Sequence, residues 1–243
     1  HDVHGGRDQV HRREVGLADD LRGGQGAFRP DQVEGGRHVG VKFRCDAEEV
    51  GQAGLTVQIE DQGAFTGDVY DGLAAPTLKP RDLAFAQDHL RILSGLYGIL
   101  RPLDAVQPYR LEMGTKFENA RGKNLYEFWQ DELAHSLMAE TEAHADATIV
   151  TLASNEYVKA ANRKTLTRPI INAKFMEDKD GKSRPIQYYT KFGRGLMARW
   201  ILQNRVDRAD GLKDFDAGGY KFDPTRSTDE TLVFARPQPP KKT

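Results

Sequence analysis

Cysteine is nearly absent: the 243-residue chain holds one, Cys45, so no intramolecular disulfide can form. A redox sensor that works by closing such a disulfide needs two thiols, which excludes that mechanism here. There is no apolar run long enough to span a bilayer and no secretory signal pattern, which points to the cytoplasm. The chain also lacks a P-loop, a placed Gly-X-Gly-X-X-Gly and a Gly-X-Ser-X-Gly elbow, so standard nucleotide, cofactor and hydrolase signatures are missing. Beyond residue 63 the only histidines are His89, His135 and His144, without close pairing along the sequence and with no cysteine beside them. No metal or cofactor is expected from that inventory, and a two-His, one-carboxylate iron site is the less favoured alternative.

A second absence divides the chain. Residues 1–63 contain no Ser, Asn, Tyr, Trp or Met, yet hold 12 of the 24 glycines and four of the seven histidines. Linkers lean on Ser, Pro, Lys or Glu; this segment has the vocabulary of GC-rich coding DNA read in a wrong frame or strand. It starts at His1, as a fragment would. Residues 1–63 are therefore expected to form no stable core, either as a frame or assembly error or as a disordered extension. Net charge is −1, but residues 1–63 carry 8 Lys+Arg against 12 Asp+Glu, leaving 27 against 24 for the remainder. That mild basicity permits a nucleic-acid face.

What is present is concentrated in residues 94–116. Glycines 95, 98 and 114 and prolines 102 and 108 fix turns around Tyr97, Arg101, Tyr109, Arg110 and Lys116. Cations interleaved with aromatic rings suit a nucleic-acid backbone with stacked or flipped bases. The alternative is that the arginines pair with Asp104 and Glu112, or hydrogen-bond loop carbonyls, while the tyrosines pack.

Around that run the periodicity predicts a mixed-sheet α/β domain over 64–236 with a loose tail at 237–243. A helix is predicted over 81–93, with Leu83, Ala86, Leu90 and Leu93 on one face. A second is N-capped by Asn124, with Leu125, Phe128, Trp129, Leu133, Leu137 and Met138 as its stripe. Residues 147–153 read as a buried strand emptying into Ser154. Residues 169–177 and 184–192 read as a hairpin around Asp180-Gly181, a helix opens at Gly193, and a last strand spans 231–235. No clean βαβ repeat is predicted.

Two further constellations carry charge. Residues 191–205 include Lys191, Arg194, Arg199 and Arg205 and no acid; Gly193 and Gly195 at the expected helix start would let a phosphate approach free amides, or the helix is simply a solvated face. Glu156 and Lys159 are either an acid/base pair or a surface ion pair; Lys159 is preferred as a contributor to the same basic cleft.

The run at 94–116 resembles the YaaA family of bacterial peroxide-stress proteins. The resemblance continues through Ala-Phe-Thr-Gly-Asp-Val-Tyr-Asp-Gly-Leu at 64–73, Asn-Ala-Arg-Gly-Lys-Asn-Leu-Tyr-Glu-Phe-Trp at 119–129 and Leu-Ala-Ser-Asn-Glu-Tyr-Val-Lys at 152–159. It ends with Phe-Gly-Arg-Gly-Leu-Met-Ala-Arg at 192–199 and Gly-Tyr-Lys-Phe-Asp at 219–223. It implies the family's α+β fold with a non-family segment ahead of it, since the family's Ser-Pro-Ala-Lys strand and helix-hairpin-helix-like element are not recognisable in residues 1–63. It also implies a cytoplasmic protein that limits unincorporated iron under peroxide stress, non-catalytic or weakly catalytic, binding DNA as duplex, bubble or mismatch and not a membrane. The expected cleft is Tyr97, Arg101, Tyr109, Arg110, Lys116, Lys159, Lys191, Arg194 and Arg199. The alternative is an enzyme acting on a nucleotide or phosphorylated small molecule in the same cleft, with Glu156 as base.

Overall fold

The computed structural model describes residues 67–104, 106 and 109–240; the expectations for residues 1–63 lie outside that range. Its centre is a mixed five-stranded sheet in the order β3-β4-β7-β6, with β5 hydrogen-bonded to β4. The strands are β3 (Ile149–Thr151), β4 (Ile170–Lys179), β5 (Lys182–Arg184), β6 (Lys221–Phe222) and β7 (Thr231–Pro237). β3, β4 and β7 are mutually parallel, while β5 and β6 are antiparallel additions. The α/β mixed-sheet expectation holds. β3, helix α5 (Asn155–Ala161) and β4 form one βαβ unit, because parallel neighbours need a crossover, and it stands alone rather than as a repeat among the described residues.

Asp180 and Gly181 both adopt positive φ, 52° and 71°, as a two-residue hairpin requires, and they join β4 to β5. β5 stops at Arg184. Residues 187–192, expected as its continuation, instead open helix α6 (Gln187–Asn204) six residues before Gly193. Tyr188 and Phe192 stack one helical turn apart, with centroids 6.0 Å apart, so the aromatic run that imitates a strand is satisfied on a helix face.

Gly193 and Gly195 are consequently buried inside the helix, not free at its start. Gly193 lies over the ring of Phe175, and a Cβ on Gly195 would sit 1.9 Å from the Val69 carbonyl oxygen. That absence of side chains lets helix α1 (Asp68–Leu73) cross α6 backbone to backbone. One core cluster fills the space between α6 and the sheet, built on Phe175, Met197, Phe215, Tyr220 and Phe234.

Helix α2 (Pro80–His89) begins with Pro80 in its first turn and the Lys79 N–H donating to Asp82 at 3.2 Å. It ends four residues short of the predicted boundary. Arg91 donates to the carbonyls of Gln87 at 2.9 Å and Leu90 at 2.8 Å, capping it. Leu93 belongs instead to strand β1 (Ile92–Ser94), paired antiparallel with β2 (Gly98–Leu100). Asn124 does cap a helix, its Oδ1 accepting from the Glu127 N–H at 3.0 Å. That helix breaks into α3 (Leu125–Trp129) and α4 (Glu132–Glu140) at Gln130, where φ is 44°. The expected apolar residues still pack into one second core, with Leu125, Phe128, Leu133 and Leu137 buried.

Candidate functional site

The parallel strands fix where a site can form. Ligands collect at the carboxyl ends of parallel strands, where connecting loops leave a crevice. β3 empties there into Ser154, which precedes α5. Because α6 follows β4 and returns toward the start of the parallel β7, its first turns lie at that same end. β3 is also an edge strand, with β4 on one side only among the described residues. A cavity of about 530 Å³ runs along it.

The cavity is polarised. One α6 stripe faces it, cationic at Lys191 and Arg194 and apolar at Ala198, Ile201 and Leu202. Ser154, Tyr157 and Tyr70 line it as well. Asp88, Glu140, Asp146 and Asp207 are the acidic linings, Glu140 and Asp146 coming from the helix end and loop that precede β3; Glu140 is engaged by Arg91 and Asp146 by the Ala209 N–H at 2.8 Å.

A cluster of phenols adjoins the cationic end. The hydroxyls of Ser94 and Tyr109 lie 2.5 Å apart, and the rings of Tyr97 and Tyr109 meet edge to face at 5.4 Å. The Ser94 Oγ also accepts the N–H of Tyr97 at 2.8 Å, which folds the β1–β2 turn. Burial pushes the Tyr109 phenol up to about 12, against the Ser94 hydrogen bond and with help from Tyr157 and Tyr97 nearby. Burial likewise raises Tyr70, reinforced by Tyr109 and Tyr157. The Tyr70 and Tyr109 phenols stay protonated and can serve as hydrogen-bond donors at neutral pH.

The sequence-derived residues separate into three groups. Arg110 and Lys116 are exposed and make no hydrogen bond or ion pair among the described residues. Lys159 is exposed on α5 with its ammonium 4.8 Å over the Tyr126 ring. Tyr97 and Tyr109 sit beside this loop. Arg101 and Arg199 are committed elsewhere: Arg101 reaches Glu140 at 3.1 Å, rather than Asp104 or Glu112, and Arg199 donates to the carbonyls of Leu73 and Ala74 at 3.0 and 3.1 Å. Lys191 and Arg194 point into the cavity, Lys191 also 3.9 Å from Asp68.

Glu156 and Lys159 form no ion pair among the described residues. Glu156 accepts the backbone N–H of Gly114, which ties the turn-rich run to α5. A carboxylate so held positions the loop. His89 and His144, expected apart, meet edge to face at 4.7 Å. Among the described residues no three His, Cys, Asp or Glu side chains cluster to hold a metal ion. No helix among them is long and apolar enough to cross a membrane.

Sequence reasoning missed a buried network at the carboxyl end of β4, against the first turn of α6. Glu177 accepts from Arg236 Nε at 3.0 Å and from the Tyr220 hydroxyl, while Arg236 Nη1 donates to the Gly218 carbonyl at 2.7 Å. Its signal was available: Ala173, Phe175 and Glu177 share one face of β4 at period two, so Glu177 occupies a core position.

Comparison with known proteins bears on this geometry. A UPF0246 protein of Phenylobacterium zucineum is 54% identical over 177 residues, 73% of this chain and 66% of its own length. One from Caulobacter vibrioides is 53% identical over 176 residues, covering 72% and 69%. One from Aromatoleum aromaticum is 56% identical over 177 residues, covering 71% and 68%. The chain thus spans about two thirds of the length of the curated relatives it matches. The sequence profile described as "Peroxide stress protein YaaA" matches residues 58–226, which include β1–β2, the tyrosine cluster, α6 and its cavity, and on that match the chain belongs to the YaaA family of peroxide stress proteins.

Proposed function

We propose that this protein protects the cytoplasm against peroxide by limiting unincorporated iron, and that it does so while bound to DNA through the face built on the 94–116 run. The observation that carries this reading is the pair Arg110 and Lys116, two exposed cations without a hydrogen bond or ion pair among the described residues, on a loop tied to its neighbours. The loop is anchored by Glu156 through Gly114 and by Ser94 through Tyr109. An anchored loop presents charge at fixed spacing, which favours phosphate contacts without ordering cost on binding. Tyr97 and Tyr109 adjoin the loop, so a splayed base could stack on them; Lys159 adds a third cation from α5. Arg101 and Arg199 support the scaffold, and Lys191 and Arg194 are recessed in the cavity.

Counterion release provides the test. The logarithm of duplex affinity should fall linearly with the logarithm of salt, by about 0.9 per phosphate neutralised. Replacing Arg110 and Lys116 together by Ala should reduce that slope by about 1.8. An affinity indifferent to salt, or a slope unmoved by the double substitution, removes the DNA reading.

A further inference from the structure

Three arginines lie along α6 and its end, and two have partners. Arg199 holds the carbonyls of Leu73 and Ala74, and Arg205 reaches Asp82 at 3.0 Å. Arg194 has no hydrogen bond or ion pair among the described residues, and its Nε is sealed from solvent. A guanidinium nitrogen sealed from water without an acceptor is costly, and such buried polar atoms are usually paired. Desolvation accordingly lowers its proton affinity, with nothing opposing it.

The surroundings of Arg194 supply what an anion would need. It lines the 530 Å³ cavity together with Lys191, one helical turn earlier, and with the hydroxyl-bearing Ser154, Tyr70 and Tyr157. Of the acidic linings, Glu140 is held by Arg91 and Asp146 by the Ala209 N–H, and Asp68 lies 3.9 Å from Lys191, so Arg194 is the cation of this end without an anionic partner among the described residues. The remaining wall is mainly apolar, contributed by Ile149, Leu152, Ala198 and Ile201. A binding site for a small molecule is of this kind: a mostly apolar enclosure with a few convergent polar groups at one end.

We infer that this cavity binds a small phosphorylated molecule, its phosphate held by Arg194 and Lys191 and its less polar body lying along β3 toward Ile201. Arginine presents a planar fork that two phosphate oxygens can share, and the neighbouring ammonium and hydroxyls take the rest. The site does not rest on DNA binding, which uses the exposed cations of the 94–116 loop. The same chemistry could come from a phosphate of DNA, and the measurement separates the two sources.

The experiment is thermal unfolding of the full chain with inorganic phosphate, pyrophosphate or adenosine monophosphate, against chloride at equal ionic strength, and separately with a short single-stranded oligonucleotide. The expected result is a saturable rise in Tm with the phosphates, lost in Arg194→Gln and partly restored in Arg194→Lys. Lys116→Ala should leave that rise intact, which keeps this outcome distinct from any failure of the DNA reading. The inference is overturned if no phosphate raises Tm above chloride, or if Arg194→Gln responds as the unaltered chain does. A rise confined to the oligonucleotide overturns it in favour of DNA phosphate. A response in this chain that the full-length Phenylobacterium relative lacks also overturns it, because a group in the additional third of that protein would then occupy Arg194.

Discussion

Glu177 and Arg236 are register partners on the parallel strands β4 and β7, both buried, with Arg236 Nε 3.0 Å from Glu177 Oε2. Neither charge has water to fall back on. The arginine is further enclosed by two rings, 4.2 Å above Tyr220 and 4.9 Å above Tyr189. Such a pair adds little relative to well-packed apolar residues, yet removing one partner strands the other charge. Glu177→Ala is therefore expected to cost about 3–5 kcal/mol in urea unfolding, whereas a paired replacement, Glu177→Leu with Arg236→Met, should recover most of it. A single-variant loss below about 1 kcal/mol would contradict a desolvated network, since that is the scale of an exposed ion pair.

Arg199 stands within a sequence block rich in cations, but its guanidinium caps the end of α1. It donates to Leu73 and Ala74, where the chain turns through a left-handed residue with φ 45°. Arg199→Ala leaves two carbonyls without donors at a helix end, worth about 1–3 kcal/mol. The salt dependence of DNA affinity should not change. A reduced slope with unchanged stability would return Arg199 to the binding face.

Gly195→Ala provides a test by sign. At an exposed helix position the change ordinarily stabilises by up to about 1 kcal/mol. Here the added methyl would meet the Val69 carbonyl at 1.9 Å and the Leu73 amide nitrogen at 2.7 Å, both backbone atoms of α1. Neither can swing aside as a side chain could, so α1 must separate from α6. The expected outcome is a loss of about 3 kcal/mol, at the upper end for overpacking, seen as a lower urea midpoint.

The contrast between Gly181 and Gly195 shows what local sequence could and could not convey. Asp180-Gly181 specifies a hairpin through its own backbone preference, and the hairpin is there. Gly195 looked like a phosphate-friendly helix start, but its role depends on α1, more than a hundred residues earlier in the chain. The run from Tyr188 to Phe192 was misread as a strand for a related reason. Its aromatics have strand propensity, while the deciding contacts are Tyr188 on Phe192 and Tyr189 beneath Arg236. The candidate site was legible as a set of cations and tyrosines. Which cations are spoken for was not, since Glu140 and the end of α1 capture Arg101 and Arg199 across long sequence separations.

Alkaline stability follows from the buried phenols. Burial raises the pKa of Tyr220 first, and its hydrogen bond to Glu177 adds to that; burial also raises Tyr70 and brings Tyr109 to about 12. In the unfolded chain these tyrosines release protons near pH 10. Above that pH the unfolded state binds fewer protons than the folded one, so folding stability, complete below about pH 10, declines as pH rises. For Tyr109 the decline should end once pH passes about 12, where the folded phenol also ionises. Between those limits each such group steepens the loss by about 1.4 kcal/mol per pH unit. Three acting together should unfold the domain cooperatively within this range. Tyrosinate absorbance near 295 nm should then rise in step with the loss of far-ultraviolet circular dichroism. Tyr109→Phe removes one contributor and its bond to Ser94, so its transition should be less steep in pH although the neutral-pH stability is lower. Gradual ionisation of all the tyrosines near pH 10, with circular dichroism unchanged, would show that Tyr70, Tyr109 and Tyr220 are solvated rather than buried.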